Sequence, residues 1–189
     1  MADAALYPVF LKLRGLPVVV VGGGRVAASK LEGLLAAGAR VTVIAPQVGE
    51  DIRGRAAVVE RAFQPSDLDG ARWVIAAATP EVNREVAAAA ATRGLFVNAV
   101  DDPEHATAYL GGVVRRGEVE LAISTGGVAP ALAGLLREAL DALLPNDLEQ
   151  WIKIAVRERA HWKQARIPIG ERRPLLLRAL DRLYQRASA

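Results

Sequence analysis

Cysteine is absent from the 189 residues. That excludes a disulfide framework, a thiolate zinc site and a cysteine nucleophile. Histidine occurs twice, too rarely to expect a preformed soft-metal site, so no resident metal is expected. No uninterrupted apolar run reaches the ~18 residues of a membrane span. The N-terminus also lacks a basic-then-apolar signal pattern. The expectation is a soluble, cytoplasmic protein with no membrane partner. Aromatic residues make up only 5% of the chain, and neither an internal repeat nor a low-complexity tract is present. A net charge of +3 is too small to argue for a nucleic-acid partner.

What is present is ordinary for a globular chain: 52% hydrophobic and 24% charged residues, enough to bury a core without metal or disulfide. The length suits one domain, or one domain with a small appendage. The charge is unevenly spread. Residues 151–189 hold ten of the 24 Lys/Arg but three of the 21 Asp/Glu, so a basic tail follows a slightly acidic body. Such asymmetry points either to an anionic partner or to a solvated helix face.

Pro17–Val21 is a β-branched, unalternating run, the pattern of a strand buried on both faces. Gly22-Gly23-Gly24 breaks it. Ala27, Leu31, Leu34 and Leu35 then follow helical spacing up to Gly38. Further strands are expected at 41–44, 58–59, 73–77 and 95–98. A helix capped by Thr79 and started by Pro80 runs to Gly94. Strand–helix alternation with short connections implies right-handed crossovers and a doubly wound parallel sheet over residues 1–110. Beyond it the period changes. Residues 109–115 and 118–124 read as a hairpin around Arg116-Gly117. A helix is expected from Pro130 to Pro145, carrying Leu132, Leu135, Leu136, Ala139 and Leu143. Another follows an Asn146 or Asp147 cap, with a capping box to Glu149 or Gln150. The last starts at Pro174, with Leu176, Leu177, Leu180, Leu183 and Tyr184 inward.

Gly22-Gly23-Gly24-Arg25-Val26-Ala27 matches G-x-G-x-x-G/A between a strand and a helix. The pattern gives a tight turn at Gly22, room for a pyrophosphate at Gly24 and close helix packing at Ala27. The helix N-terminus offers free N–H groups to the phosphates. This makes the first domain Rossmann-type and NAD or NADP its expected cofactor. The end of the second strand reads Ile44-Ala45-Pro46-Gln47. It holds neither the acid that binds NAD ribose nor an arginine for a 2′-phosphate. Main-chain groups at Pro46 and Gln47 are the alternative ribose contacts, and the sequence alone does not choose between the two cofactors.

Two further sites stand out. Asn98-Ala99-Val100-Asp101-Asp102-Pro103 lies past the fifth strand, at the crevice where open α/β sheets bind ligands. A carboxylate there can exchange a proton beside a nicotinamide, or it can be a turn-forming Asp before Pro. His105 is the nearby imidazole. Ser124-Thr125-Gly126-Gly127 leads into a Pro-started helix and reads either as an anion site or as a strand-to-helix turn.

The series Tyr7-Pro8-Val9-Phe10-Leu11-Lys12-Leu13, Val20-Val21-Gly22-Gly23-Gly24-Arg25-Val26-Ala27, Gly38-Ala39-Arg40-Val41-Thr42-Val43, Ala77-Ala78-Thr79, Asn98-Ala99-Val100-Asp101, Ser124-Thr125-Gly126-Gly127 and Leu135-Leu136-Arg137-Glu138 resembles the precorrin-2 dehydrogenase / sirohydrochlorin ferrochelatase family, the N-terminal module of sirohaem synthase. The resemblance covers essentially the whole chain. It implies NAD-dependent oxidation of precorrin-2 to sirohydrochlorin, with Fe²⁺ insertion as an activity of some relatives, and a homodimer. It implies an NAD-binding domain at 1–110, a hairpin-plus-helix dimerisation region at 111–145 and a C-terminal helical domain at 146–189. By resemblance Asp101 is the catalytic residue, and Gly22, Gly23, Gly24, Arg25, Val26, Pro46, Gln47 and Thr79 face the cofactor. The substrate-binding candidates are Asp101, His105, Ser124 and Thr125, where Thr125 matches a serine phosphorylated in some relatives. Ser29-Lys30 departs from the Arg-Lys of many relatives. No methyltransferase domain follows residue 189 in this sequence, so synthesis of precorrin-2 itself is not expected. The basic tail suits a polycarboxylate tetrapyrrole. The alternative is an NAD(H)-sensing, DNA-binding regulator. It fits less well, because the leucines of the last helix are spent on packing.

Overall fold

The computed structural model describes residues 5–187, with two compact units, Met1–Leu110 and Gly111–Ala189. Of the basic residues in the tail, Arg186 has a side chain outside the described set.

The first unit is a five-stranded parallel sheet. Strand β1 (Pro17–Val21) lies at the centre, β2 (Arg40–Ile44) and β3 (Ala57–Val59) on one side, β4 (Trp73–Ala76) and β5 (Val97–Ala99) on the other, in the order β3-β2-β1-β4-β5. All pairs are parallel, with Val19 opposite Thr42 in β2 and Val74 in β4. Helices α1 (Arg25–Ala36) and α2 (Pro80–Ala91) cover opposite faces. The reason is visible in β1. Val18 and Val20 pack with Ala27, Leu31 and Leu34 of α1, whereas Val19 and Val21 pack with Val86, Ala87 and Ala90 of α2. A run that buries both faces leaves no polar side to alternate with. The chain reverses direction along the sheet between β1 and β4, which opens a crevice at their carboxyl ends.

Helix α1 ends as the glycine implied. Gly38, at φ 74, donates to Leu35 O (2.9 Å) while Ala39 donates to Leu34 O (3.0 Å), a Schellman arrangement. Thr79 and Pro80 occupy the N-cap and first position of α2. The fifth strand starts two residues later than the pattern suggests. Phe96 is 64% exposed and precedes the paired residues, because burial begins only where β5 meets β4.

In the second unit β6 (Gly112–Arg116) and β7 (Val119–Ile123) form an antiparallel hairpin closed by Gly117-Glu118. Helix α3 (Pro130–Leu143) packs on it through Ala133, against Gly112. The leucines at helical spacing face elsewhere. Leu132, Leu135, Leu136 and Leu143 are all exposed.

Helix α4 (Leu148–Gln164) has Asp147 at its N-cap without a side-chain cap bond, so the expected capping box does not form. The Asp147 carboxylate is used elsewhere: it accepts from the Tyr184 hydroxyl (3.2 Å), which itself accepts from Trp151 Nε1 (2.7 Å). Helix α5 (Ile169–Ala187) begins five residues before Pro174, which sits inside it. The early turn is held from outside the helix ladder, where Arg172 Nε and Nη2 donate to Ile167 O (3.1 and 2.9 Å). Leu176, Leu180 and Leu183 are half-buried, but Leu177 and Tyr184 are exposed rather than inward. Among the described residues no helix is long and apolar enough to cross a membrane.

Candidate functional site: two clefts flanking a glycine turn

The turn from β1 to α1 is shaped by close backbone approaches. Gly22 has φ 123, and a Cβ there would land on the carbonyl of Ala77. A Cβ on Gly23 would land on the carbonyl oxygen of Gln47. Both positions therefore have to be glycine for the chain to fold as it does. Gly24 differs: its φ is −90 and a Cβ would meet nothing within 4 Å. The open space beside Gly24 is the room a pyrophosphate needs against the backbone. Helix α1 starts there with no side-chain cap and no acidic residue in its first turn. Its N-terminal N–H groups and positive dipole are left for an anion. Ala27 is fully buried, as the fingerprint's last position requires. On these observations the residues present fit a dinucleotide phosphate.

A cleft opens on each side of this turn. On the β2 side, Gly23, Gly24, Arg25, Ala28, Gly49, Asp51 and Ile52 line one. On the β4 side, a cleft of about 260 Å³ is lined by Val26, Ala77, Ala78, Pro80, Asn83, Val100, Asp101 and Asp102. The two clefts suit the two halves of a dinucleotide straddling the glycine turn.

The segment carrying Asp101 is held on several sides. Val100 N–H donates to Ala76 O (2.9 Å). Asn98, nearly buried, donates from Nδ2 to Ala108 O (2.9 Å), and Thr107 Oγ1 accepts from Val97 N–H (2.8 Å). Asp101 itself is exposed and sits at φ 56, a left-handed conformation that Asp tolerates better than most residues. Backbone strain of this kind concentrates at functional positions. Asp102 behaves differently from its neighbour. Both of its carboxylate oxygens contact His105 Nδ1 (2.8 and 2.9 Å). The His105 ring hydrogen bond holds the Asp102 carboxyl below the usual carboxylate range.

The sequence-derived candidates thus separate into groups. Gly23, Gly24 and Arg25 line the first cleft, Val26 and Asp101 the second. Gln47 abuts Gly23 through its backbone, and Pro46 is exposed beside it. Thr79 is exposed between two residues of the second cleft, Ala78 and Pro80. Its hydroxyl reaches Glu81, whose carboxyl is lowered first by its own backbone N–H and then by that hydroxyl. His105 orients on Asp102. Ser124 and Thr125 belong to the second unit, where Ser124 Oγ accepts from Gly126 N–H (3.1 Å) in the turn before α3.

Two residues of the clefts escaped the sequence reading. Asp51 lies seven residues past the end of β2, with no periodic signal. Asn83 is 3% exposed. Its Oδ1 accepts from Ala78 N–H (2.9 Å) and its Nδ2 donates to Val100 O (3.4 Å), tying the β4–α2 turn to the segment carrying Asp101. Its only signal was helical spacing that puts a polar residue on the same face as the apolar Val86, Ala87 and Ala90. Asn83→Ala leaves the Ala78 N–H buried without its acceptor, at an expected cost of about 2 kcal/mol. Urea denaturation checks this, with a midpoint unchanged from the parent counting against the bridge.

Residues 9–112 match the family described as "Putative NAD(P)-binding". Siroheme synthase 1 of Aeromonas salmonicida (strain A449) is 41% identical over 187 residues, 94% of this chain and 40% of that protein. The siroheme synthase of Gluconacetobacter diazotrophicus is 40% identical over 181 residues, 90% of this chain and 38% of that protein. The chain therefore spans about two-fifths of the length of the curated relatives it matches. The solved structure of SirC, a precorrin-2 dehydrogenase, superposes with a TM-score of 0.69 at 25% identity, covering 92% of this chain and 88% of that one. The likeness to siroheme synthases read from the motif series holds over most of the sequence. With the glycine turn, the helix N-terminus and the matched residues 9–112 in agreement, the chain belongs to the NAD(P)-binding family.

Proposed function

We propose that this protein is an NAD-dependent precorrin-2 dehydrogenase, forming sirohydrochlorin for sirohaem. The observation that carries the reading is the cleft that sets Asp101 across from Val26 and the β4–α2 turn, on a chain similar over 92% of its length to a precorrin-2 dehydrogenase. Bound NAD⁺ supplies the hydride acceptor. The oxidation removes a hydride and a proton from the macrocycle, so one group on the protein has to take the proton. Asp101 is that group. Its exposed carboxylate lies at the cleft mouth, and it releases the proton to water afterwards. Asn83 and the Val100–Ala76 bond are positioning elements for it. Asp102 keeps the His105 ring oriented beside the same mouth, where it can contact the substrate.

Precorrin-2 carries eight carboxylates. The basic helices α4 and α5 complement that charge. Among the described residues, Arg157 is the one cation of α4 and α5 in an ion pair, with Glu158 (3.6 Å), and Arg172 is held by Ile167 O, so the others are available to attract a polyanion. The exposed leucines of α3 support a homodimer formed through that helix. The reading includes Fe²⁺ insertion into sirohydrochlorin at the same site, with Fe²⁺ as substrate and Asp101 accepting the displaced pyrrole protons in turn. No observation favours the DNA-binding regulator.

An absorbance assay tests the proposal. Protein, precorrin-2 and NAD⁺ are expected to yield sirohydrochlorin with matching NADH. Adding Fe²⁺ then removes the sirohydrochlorin spectrum faster than the protein-free control. Absence of NADH overturns the dehydrogenase, and a metal rate equal to the control overturns the chelatase alone.

A further inference from the structure

Dinucleotide-binding folds that use NAD commonly place an acid at the end of the second strand, where it binds the adenosine ribose. This chain has none there, since β2 is followed by Ala45-Pro46-Gln47. An acid from further along the chain, Asp51, lines the cleft on this side of the glycine turn. After Val48 the loop folds back onto the glycine turn. Gly49 N–H donates to Gly23 O (2.9 Å). Three residues later Ile52 is fully buried in the core beside α1, and its N–H donates to Gly49 O (3.0 Å). Asp51 stands between these two anchors and lines the β2-side cleft with Gly23, Gly24 and Arg25. The tether on both sides holds the Asp51 backbone beside the glycine turn, within side-chain reach of the cleft.

The surrounding charges leave that carboxylate for a ligand. Arg53 is spent on Glu60, with bonds of 2.6 and 3.0 Å, and on Glu50 (3.5 Å). Arg55 donates to the backbone oxygen of Asp51, not to its side chain (3.1 Å). Among the described residues the Asp51 carboxylate makes no hydrogen bond or ion pair. The cation that shares the cleft with it is Arg25.

We propose that Asp51 selects NAD over NADP, by accepting hydrogen bonds from the adenosine ribose hydroxyls and repelling a 2′-phosphate that Arg25 would otherwise attract. The inference rests on the NAD-dependent reading above and names the residue that sets cofactor choice. The cleft lies on the β2 side of the phosphate-binding turn, which is the side the adenosine half of a dinucleotide takes. A diol bound to a charged acceptor accounts for about a tenfold gain in affinity, and like-charge repulsion adds discrimination against the phosphate.

The test is equilibrium binding of NADH and NADPH, followed by nicotinamide fluorescence, to the parent protein, Asp51→Asn, Asp51→Ser and the double variant Asp51→Asn/Arg25→Ala. The parent is expected to bind NADH at least tenfold tighter than NADPH. Either single variant is expected to weaken NADH by about tenfold and to tighten NADPH, so that the preference disappears or reverses. The double variant is expected to lose the NADPH gain. Thermal melting confirms that each variant is folded, and the exposed Asp51 gives two independent substitutions in case one fails. A NADH-to-NADPH ratio within twofold of the parent in both variants overturns the assignment while leaving the dehydrogenase reading intact. A parent that binds the two cofactors equally also overturns it. A parent that binds neither overturns the NAD-dependent reading itself.

Discussion

Asp101→Asn is expected to lower precorrin-2 oxidation about a thousandfold while leaving NADH affinity unchanged. The size follows from the loss of a positioned proton acceptor, whose contribution is about 10² to 10⁴ in rate. The choice of Asn matters because of the backbone. Asp101 sits at φ 56, where Asn is as well tolerated as Asp and Ala is not. Asn therefore removes the base and keeps the turn, whereas Ala mixes lost chemistry with strain of about 1 kcal/mol or more. Single-turnover kinetics with saturating NAD⁺ separate the effects. The expected result is a fall in the chemical step with an unchanged Kd for NADH. Turnover within tenfold of the parent would remove Asp101 from the role of base. Asp102 is the natural control: its carboxylate is engaged with His105 (2.8 Å), so replacing it changes substrate handling and not the proton acceptor.

Gly22→Ala and Gly24→Val, two residues apart, are expected to fail in opposite ways. At Gly22 the φ of 123 and the carbonyl of Ala77 both oppose a side chain. The β1–α1 turn has to move away from β4, at a cost of about 3 kcal/mol or more. At Gly24 a side chain meets no protein atom within 4 Å and the backbone is already extended. Gly24→Val is therefore expected to fold, losing no more than the ~1 kcal/mol that a branched apolar residue costs at the α1 N-cap, yet to lose dinucleotide affinity by more than about a hundredfold, because the branched side chain fills the space beside the helix N-terminus. Thermal melting and NADH titration on the two variants check the pair. A Gly24→Val that still binds NADH would mean that the space beside Gly24 is not where the phosphates lie.

Much of the first unit was legible from residue order because its signals are local. A β-branched run, a glycine break and a leucine period each depend on neighbours a few positions away, and these place β1, α1, β2, β4 and α2. The second unit was less legible for the same reason. The apolar stripe of α3 has the right period but faces solvent, and only Ala133 is buried. Helical spacing shows that a face is apolar, not what covers it. Pro174 looked like a helix start, and the cap at Asp147 looked like a box. The structure places the first inside α5 and diverts the second to Tyr184, since a long-range partner can outbid a local one.

What the sequence determined by itself is the doubly wound sheet, the glycine turn ahead of α1 and the position of Asp101 at a strand end. Each is a property of consecutive residues. What only the tertiary structure decided is which residues share a cleft. Gly23 is a glycine because Gln47 crosses it, Asn83 joins the turn at Ala78 to Val100, which lies seventeen residues beyond Asn83 itself, and Asp51 reaches the glycine turn because Gly49 and Ile52 fold the loop back. Distances across the sheet are set by strand pairing and core burial, and no spacing along the chain encodes them.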